Sequence, residues 1–108
     1  LETVREPSGL ALSSRNRYLA EGDRAEAAAL YECLLAAAAR ARAGDPLGVV
    51  VAESEAWLRS RGFVVEYLAL VEPTTMEPLN ALTLTARWVV AATFRGVRLI
   101  DNVPVHTS

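Results

Sequence analysis

No lysine occurs among the 108 residues, so all eleven basic side chains are arginine. Thirteen acidic residues stand against them, and the net charge of -2 offers no basic face for a nucleic-acid backbone. The one cysteine, Cys33, cannot close an internal disulfide; it falls inside an apolar helical pattern, which favours a small buried hydrophobe over a nucleophile. The one histidine, His106, has no second histidine or nearby serine nucleophile and reads as part of a frayed terminus. There is no Gly-x-Gly-x-x-Gly run, no P-loop Gly-Lys-Ser/Thr and no Cys-x-x-Cys, which removes the common nucleotide and metal signatures. No apolar run approaches the roughly 20 residues of a membrane span. No positively charged start precedes an apolar signal core. A cytoplasmic protein with no membrane or nucleic-acid partner is expected.

What is present suits one packed domain: 108 residues, 52% of them hydrophobic, can bury a single core without metal or disulfides. Arg24 to Ala43 carries Leu30, Leu34, Ala37, Ala38 and Ala41 at spacings of three and four, one apolar helical stripe. Ala20 leaves the usual cap position without a side-chain acceptor, and Asp23 is the candidate cap for a slightly later start. Gly44 ends this helix. Asp45-Pro46 then offers a cap and a proline for a second helix, on which Leu47, Val50, Val51, Trp57 and Leu58 share one face until Gly62. From Phe63 to Val71 the period changes to two, with both faces largely apolar, so a covered strand is expected. The loop from Thr74 to Asn80 brings Met76, Pro78 and Leu79 back onto the sheet. Two further β-rich runs, Ala86 to Phe94 and Val97 to Asn102, flank Arg95-Gly96, a two-residue hairpin signal. The fold class is α+β: a two-layer domain with two main helices packed on one face of a three-stranded, mainly antiparallel sheet.

The stretch that invites chemistry is Arg5 to Leu19. Glu6-Pro7-Ser8-Gly9 makes a tight turn, and Ser13, Ser14 and Arg15 then stand before a short helical pattern. Free N–H groups at a helix start, hydroxyls and a guanidinium fork together suit an anion, phosphate foremost. The same serines also suit a plain N-cap with Arg15 and Arg17 in solvent, and spacing alone favours that reading. Asp101-Asn102 near the end of the last β-run reads as structural, since such residues bond their own backbone where strands stop.

Arg5, Gly9 to Asn16 and Leu19, together with Arg98 to Asn102, resemble the C-terminal domain of the pantothenate synthetase family. In that family the Leu-Ser-Ser-Arg run takes the place of the Lys-Met-Ser-Lys-Ser loop of related nucleotidyltransferases and class I aminoacyl-tRNA synthetases. The resemblance covers essentially the whole chain. It implies an ATP-dependent ligase, a homodimer when complete, that joins pantoate to β-alanine through pantoyl adenylate. Residues 1–4 are then a linker from a missing N-terminal nucleotide-binding domain, and 5–108 a lid domain. The lid would bring Val4, Leu12, Ser13, Ser14 and Arg15 to ATP, the first two through backbone N–H groups. Mg2+ is expected with ATP, but no metal ligand is assigned here. The pantoate and β-alanine pockets and the family's histidine motif would lie in the missing domain, so the chain alone is expected to be inactive. Two alternatives stay open on the residues: a non-catalytic packing or interaction module, and the lid of a different adenylate-forming ligase.

Overall fold

The computed structural model describes residues 4, 5, 9–11 and 19–106. Among the described residues three helices, α1 (Glu21–Ala27), α2 (Ala29–Arg42) and α3 (Leu47–Ser60), precede four strands: β1 (Val64–Glu72), β2 (Glu77–Pro78), β3 (Arg87–Phe94) and β4 (Val97–Pro104). The sheet order is β2-β1-β3-β4 with every pairing antiparallel. This is the expected two-layer α+β domain, with four strands in place of three. The additional strand is two residues long and pairs only Val71 with Pro78 and Glu72 with Glu77, too short to leave a periodic trace.

The helix stripe is buried as its spacing requires: Leu30, Leu34, Ala37, Ala38 and Ala41 all face the core, and alanine lets α2 approach the sheet closely. The helix is divided at Ala28, and it starts earlier than its residues suggest, at Glu21, with no side-chain cap at Ala20. Asp23 does not cap it; its Oδ1 instead accepts from Arg95 Nε at 3.4 Å. Asp45 likewise leaves the cap of α3 unmade, because its Oδ2 accepts from Arg40 Nε at 2.9 Å, and Pro46 itself is the N-cap residue. On α3 the deepest residues are Val50, Ser54 and Leu58. Trp57 is half-buried at the edge of that face, with the Arg61 guanidinium 4.8 Å from its ring centre.

Trp88, Val90, Ala92 and Phe94 point from β3 into the core, joined by Leu68 and Leu70 from β1. The register of β1 slips between Val65 and Tyr67, so the alternation changes phase at Glu66. That slip leaves Val64 and Tyr67 exposed, and β1 is less covered than its composition implies. Leu79 returns to the core and its N–H donates to Leu70 O at 2.8 Å, whereas Met76 stays exposed with a φ of 58°. The Arg95-Gly96 hairpin forms as expected between Phe94 and Val97. Both residues have positive φ, 52° and 79°, the signature of a type I′ turn that matches strand twist. The chain end is held: Val105 is fully buried, its N–H donates to Ala86 O at 3.0 Å, and its carbonyl accepts from Arg42 at 2.6 Å. His106 beside it is half-buried instead of frayed.

Candidate functional site

The start of the candidate stretch is built around Arg5. An isolated antiparallel bridge joins Arg5 to Ala11, on either side of Gly9; Glu6, Pro7 and Ser8 of the expected turn lie outside the described residues. Gly9 has a φ of +99°, and a Cβ there would sit 2.8 Å from Cδ2 of Tyr31 on α2. Glycine is required on both counts. Leu10 beside it is buried in the core, and so is Leu19.

Arg5 ties this turn to the sheet. Its Nη1 donates to Gly9 O at 3.1 Å and to Asp101 Oδ2 at 2.6 Å, while Nη2 donates to Asp101 Oδ1 at 2.9 Å and to Asn102 O at 3.2 Å. The guanidinium also lies 3.6 Å from the centre of the Tyr31 ring, within reach of a cation–π attraction. Side-chain exposure is 16% for Arg5 and 2% for Asp101, so the ion pair is almost wholly withdrawn from water. Asp101 also accepts from the N–H of Asn102 at 2.7 Å, the local backbone bond expected of it. It does so inside β4, not beyond the end of a strand, and its charge is engaged by a residue far away in sequence.

Of the candidate ATP contacts, Val4 is described and is two-thirds exposed, its side chain free of the core. Leu12, Ser13, Ser14 and Arg15, like Arg17, lie outside the described residues. The Arg5–Asp101 pair is the part of this region that residue spacing missed. Its signal was the joint presence of Arg5 in the first resembling run and Asp101 in the second.

A concavity of about 520 Å³ lies between α2 and α3, lined by Glu32, Cys33, Arg40, Glu53 and Trp57 among others. Arg40 is already held there by Asp45 and by Glu53 at 2.6 Å, which raises its pKa through those hydrogen bonds. With two carboxylates beside one engaged arginine, this groove has no surplus positive charge for a phosphate. Cys33 on its wall is buried; its Sγ lies 3.7 Å from Ser54 O, and burial pushes the thiol up to about 11. A protonated thiol is a poor nucleophile, in keeping with a packing role.

A sequence profile of the family described as pantoate-beta-alanine ligase matches residues 1–104. The chain belongs to that family. A pantothenate synthetase from Acidiphilium cryptum is 44% identical over 103 residues, covering 95% of this chain and 37% of that protein. The crystal structure of pantothenate synthetase from Thermus thermophilus superposes with a TM-score of 0.86 at 43% identity, over 97% of this chain and 38% of the other. A pantoate-beta-alanine ligase from Francisella tularensis, complexed with beta-gamma ATP and β-alanine, gives a TM-score of 0.57 at 29% identity. It is covered over 32% of its length, with 98% of this chain. The chain thus spans about a third of the length of the pantoate-beta-alanine ligases it matches, 32–38% in these three, and corresponds to their C-terminal domain.

Proposed function

We propose that this domain is the ATP-phosphate-binding lid of a cytoplasmic, homodimeric ligase that makes pantothenate from pantoate and β-alanine. In the proposed reaction a pantoate carboxylate oxygen attacks the α-phosphorus of ATP, forming pantoyl adenylate and releasing pyrophosphate. The amine of β-alanine then attacks the acyl carbon, and AMP leaves. The pockets for pantoate and β-alanine belong to the remainder of such an enzyme, and this domain contributes the closing loop.

The observation that carries the reading is the anchored turn. Arg5, Gly9 and Leu10 are fixed against α2, β4 and the core, and Leu12 to Arg15 follow them directly in sequence, which supports reading that run as a loop carried on this anchor. The ligand of that run is ATP in this reading, which family membership and the Francisella tularensis relative's complex with beta-gamma ATP support. Negative charge builds on the departing pyrophosphate during adenylation. Donors aimed there stabilise the transition state more than the ground state. Closure also keeps water from the reactive adenylate.

Magnesium accompanies ATP in this reading, but the described residues do not make a site for it. Among them no group of three His, Cys, Asp or Glu side chains converges, and Asp101 is occupied by Arg5. No step is assigned to the metal.

Single-turnover pyrophosphate release tests the proposal in the ligase carrying this domain. Arg15→Ala is expected to slow adenylation by about 2.7–4 kcal/mol, the effect of losing one preorganised donor. Arg15→Lys recovers part of it, since a point charge replaces a fork. Arg17→Ala leaves adenylation near wild type. A wild-type rate in Arg15→Ala, or a defect fully accounted for by a lowered melting temperature, would return the serine–arginine run to a plain helix cap.

A further inference from the structure

We propose that Arg5 and Asp101 are positioning residues for adenylation: their buried pair sets the place from which the Leu12–Arg15 run reaches the nucleotide. The inference rests on the lid reading above and goes beyond it by giving the Arg5–Asp101 pair an effect on the adenylation step itself.

The geometry has three parts. One guanidinium holds three elements at once, through Gly9 O on the turn, Asp101 and Asn102 O on β4, and the face of Tyr31 on α2. The Arg5–Ala11 bridge then carries that fixed position to the residue directly before Leu12. Leu10 and Leu19, both in the core, hold the chain on either side of the run.

The chemistry of burial argues that position is what the pair supplies. A buried ion pair adds little net stability over a well-packed apolar pair of the same volume, because desolvation offsets attraction. It supplies direction instead: two parallel N–H···O contacts fix the plane of the guanidinium, and with it the carbonyl of Gly9. Arg5 is not itself a free phosphate ligand. Its two terminal nitrogens are already on Gly9, Asp101 and Asn102.

The test follows adenylation in single turnovers against ATP concentration, in the ligase carrying this domain, for Asp101→Asn, Arg5→Gln, Arg5→Lys and Gly9→Ala. Each variant is assayed at a temperature where circular dichroism shows it folded. The apparent ATP affinity is expected to fall roughly tenfold to a hundredfold, the cost of a misplacement on the order of 1 Å. KM for pantoate and for β-alanine should keep wild-type values, and Arg5→Lys should lose less than Arg5→Gln. A purely structural pair would lower the melting temperature and leave the ATP curve of the folded enzyme in place.

Wild-type ATP curves in folded Asp101→Asn and Gly9→Ala overturn the inference; if Arg15→Ala is defective in the same assay, the lid reading survives that result. A defect confined to the Arg5 variants also overturns it, by making Arg5 a direct ligand. Should the charge variants fail to fold, Gly9→Ala decides alone, because it disturbs the turn against Tyr31 and leaves both charges intact.

Discussion

Two arginine–carboxylate pairs involve β4, one on each face of the sheet. On the inner face Arg5 grips Asp101 with both terminal nitrogens, with side-chain exposures of 16% and 2%. On the outer face Arg98 reaches across β3 to Glu66 with contacts of 3.1 and 2.9 Å, with exposures of 44% and 53%. Both pairs are two-pronged, end-on through Nη1 and Nη2 in Arg5 and side-on through Nε and Nη2 in Arg98, and their surroundings are opposite. In water the outer pair competes with solvent and salt, so it can lower the pKa of Glu66 through the Arg98 hydrogen bond and still do little for stability. Away from water the inner pair has little solvent to replace a lost partner, and losing either half leaves the other's charge buried without its counterion. What distinguishes the pairs is solvent, and the dry one stands beside the stretch that carries the candidate chemistry.

The largest effect expected from this contrast is on Asp101. Asp101→Ala leaves the Arg5 charge buried and should cost about 3–5 kcal/mol in urea or thermal unfolding. For a domain of this size that lowers the melting midpoint by more than about 10 °C. A double change, Arg5→Met with Asp101→Leu, should recover much of this stability without recovering adenylation. Recovery of both together would reduce the pair to packing.

Cys33 extends the comparison to a buried group with no countercharge. Burial raises its pKa from 9.0 to about 11, so the unfolded chain ionises first and binds fewer protons than the folded one. Its contribution to stability is therefore full below pH 9 and declines as pH rises from 9 to 11. With no lysine and three tyrosines in the chain, few side chains mask this window. Unfolding free energy measured across that range should fall more steeply in the wild type than in Cys33→Ala, and equal slopes would remove the thiol as the cause.

The smallest effect is on the outer pair. Glu66→Gln should leave the melting temperature within error at physiological salt. A drop comparable to that of Asp101→Ala would mean that exposure does not separate the two pairs.

The parts of the fold legible in the residues were those with a local cause. The α2 stripe follows from apolar spacing, and the β3–β4 hairpin from one glycine in a two-residue turn. The phase change at Glu66 and the two-residue β2 were not legible, because both are set by pairing with neighbouring strands. Asp23 and Asp45 are good caps by type, yet each faces an arginine that takes its carboxylate away from the helix. At the candidate site the same division separates local signals from the long-range pair. Ser13, Ser14 and Arg15 stand out by residue type and resemblance, whereas the bond from Arg5 to Asp101 joins the two ends of the described chain and has no local period.

A crystal structure of the ligase carrying this domain, bound to a non-hydrolysable ATP analogue, tests the central claim most directly. Ser13, Ser14 and Arg15 are expected on the phosphate oxygens, with Arg5 still bonded to Asp101 and Gly9 behind them. A closed, nucleotide-bound enzyme whose triphosphate is contacted by none of the three would contradict the lid role.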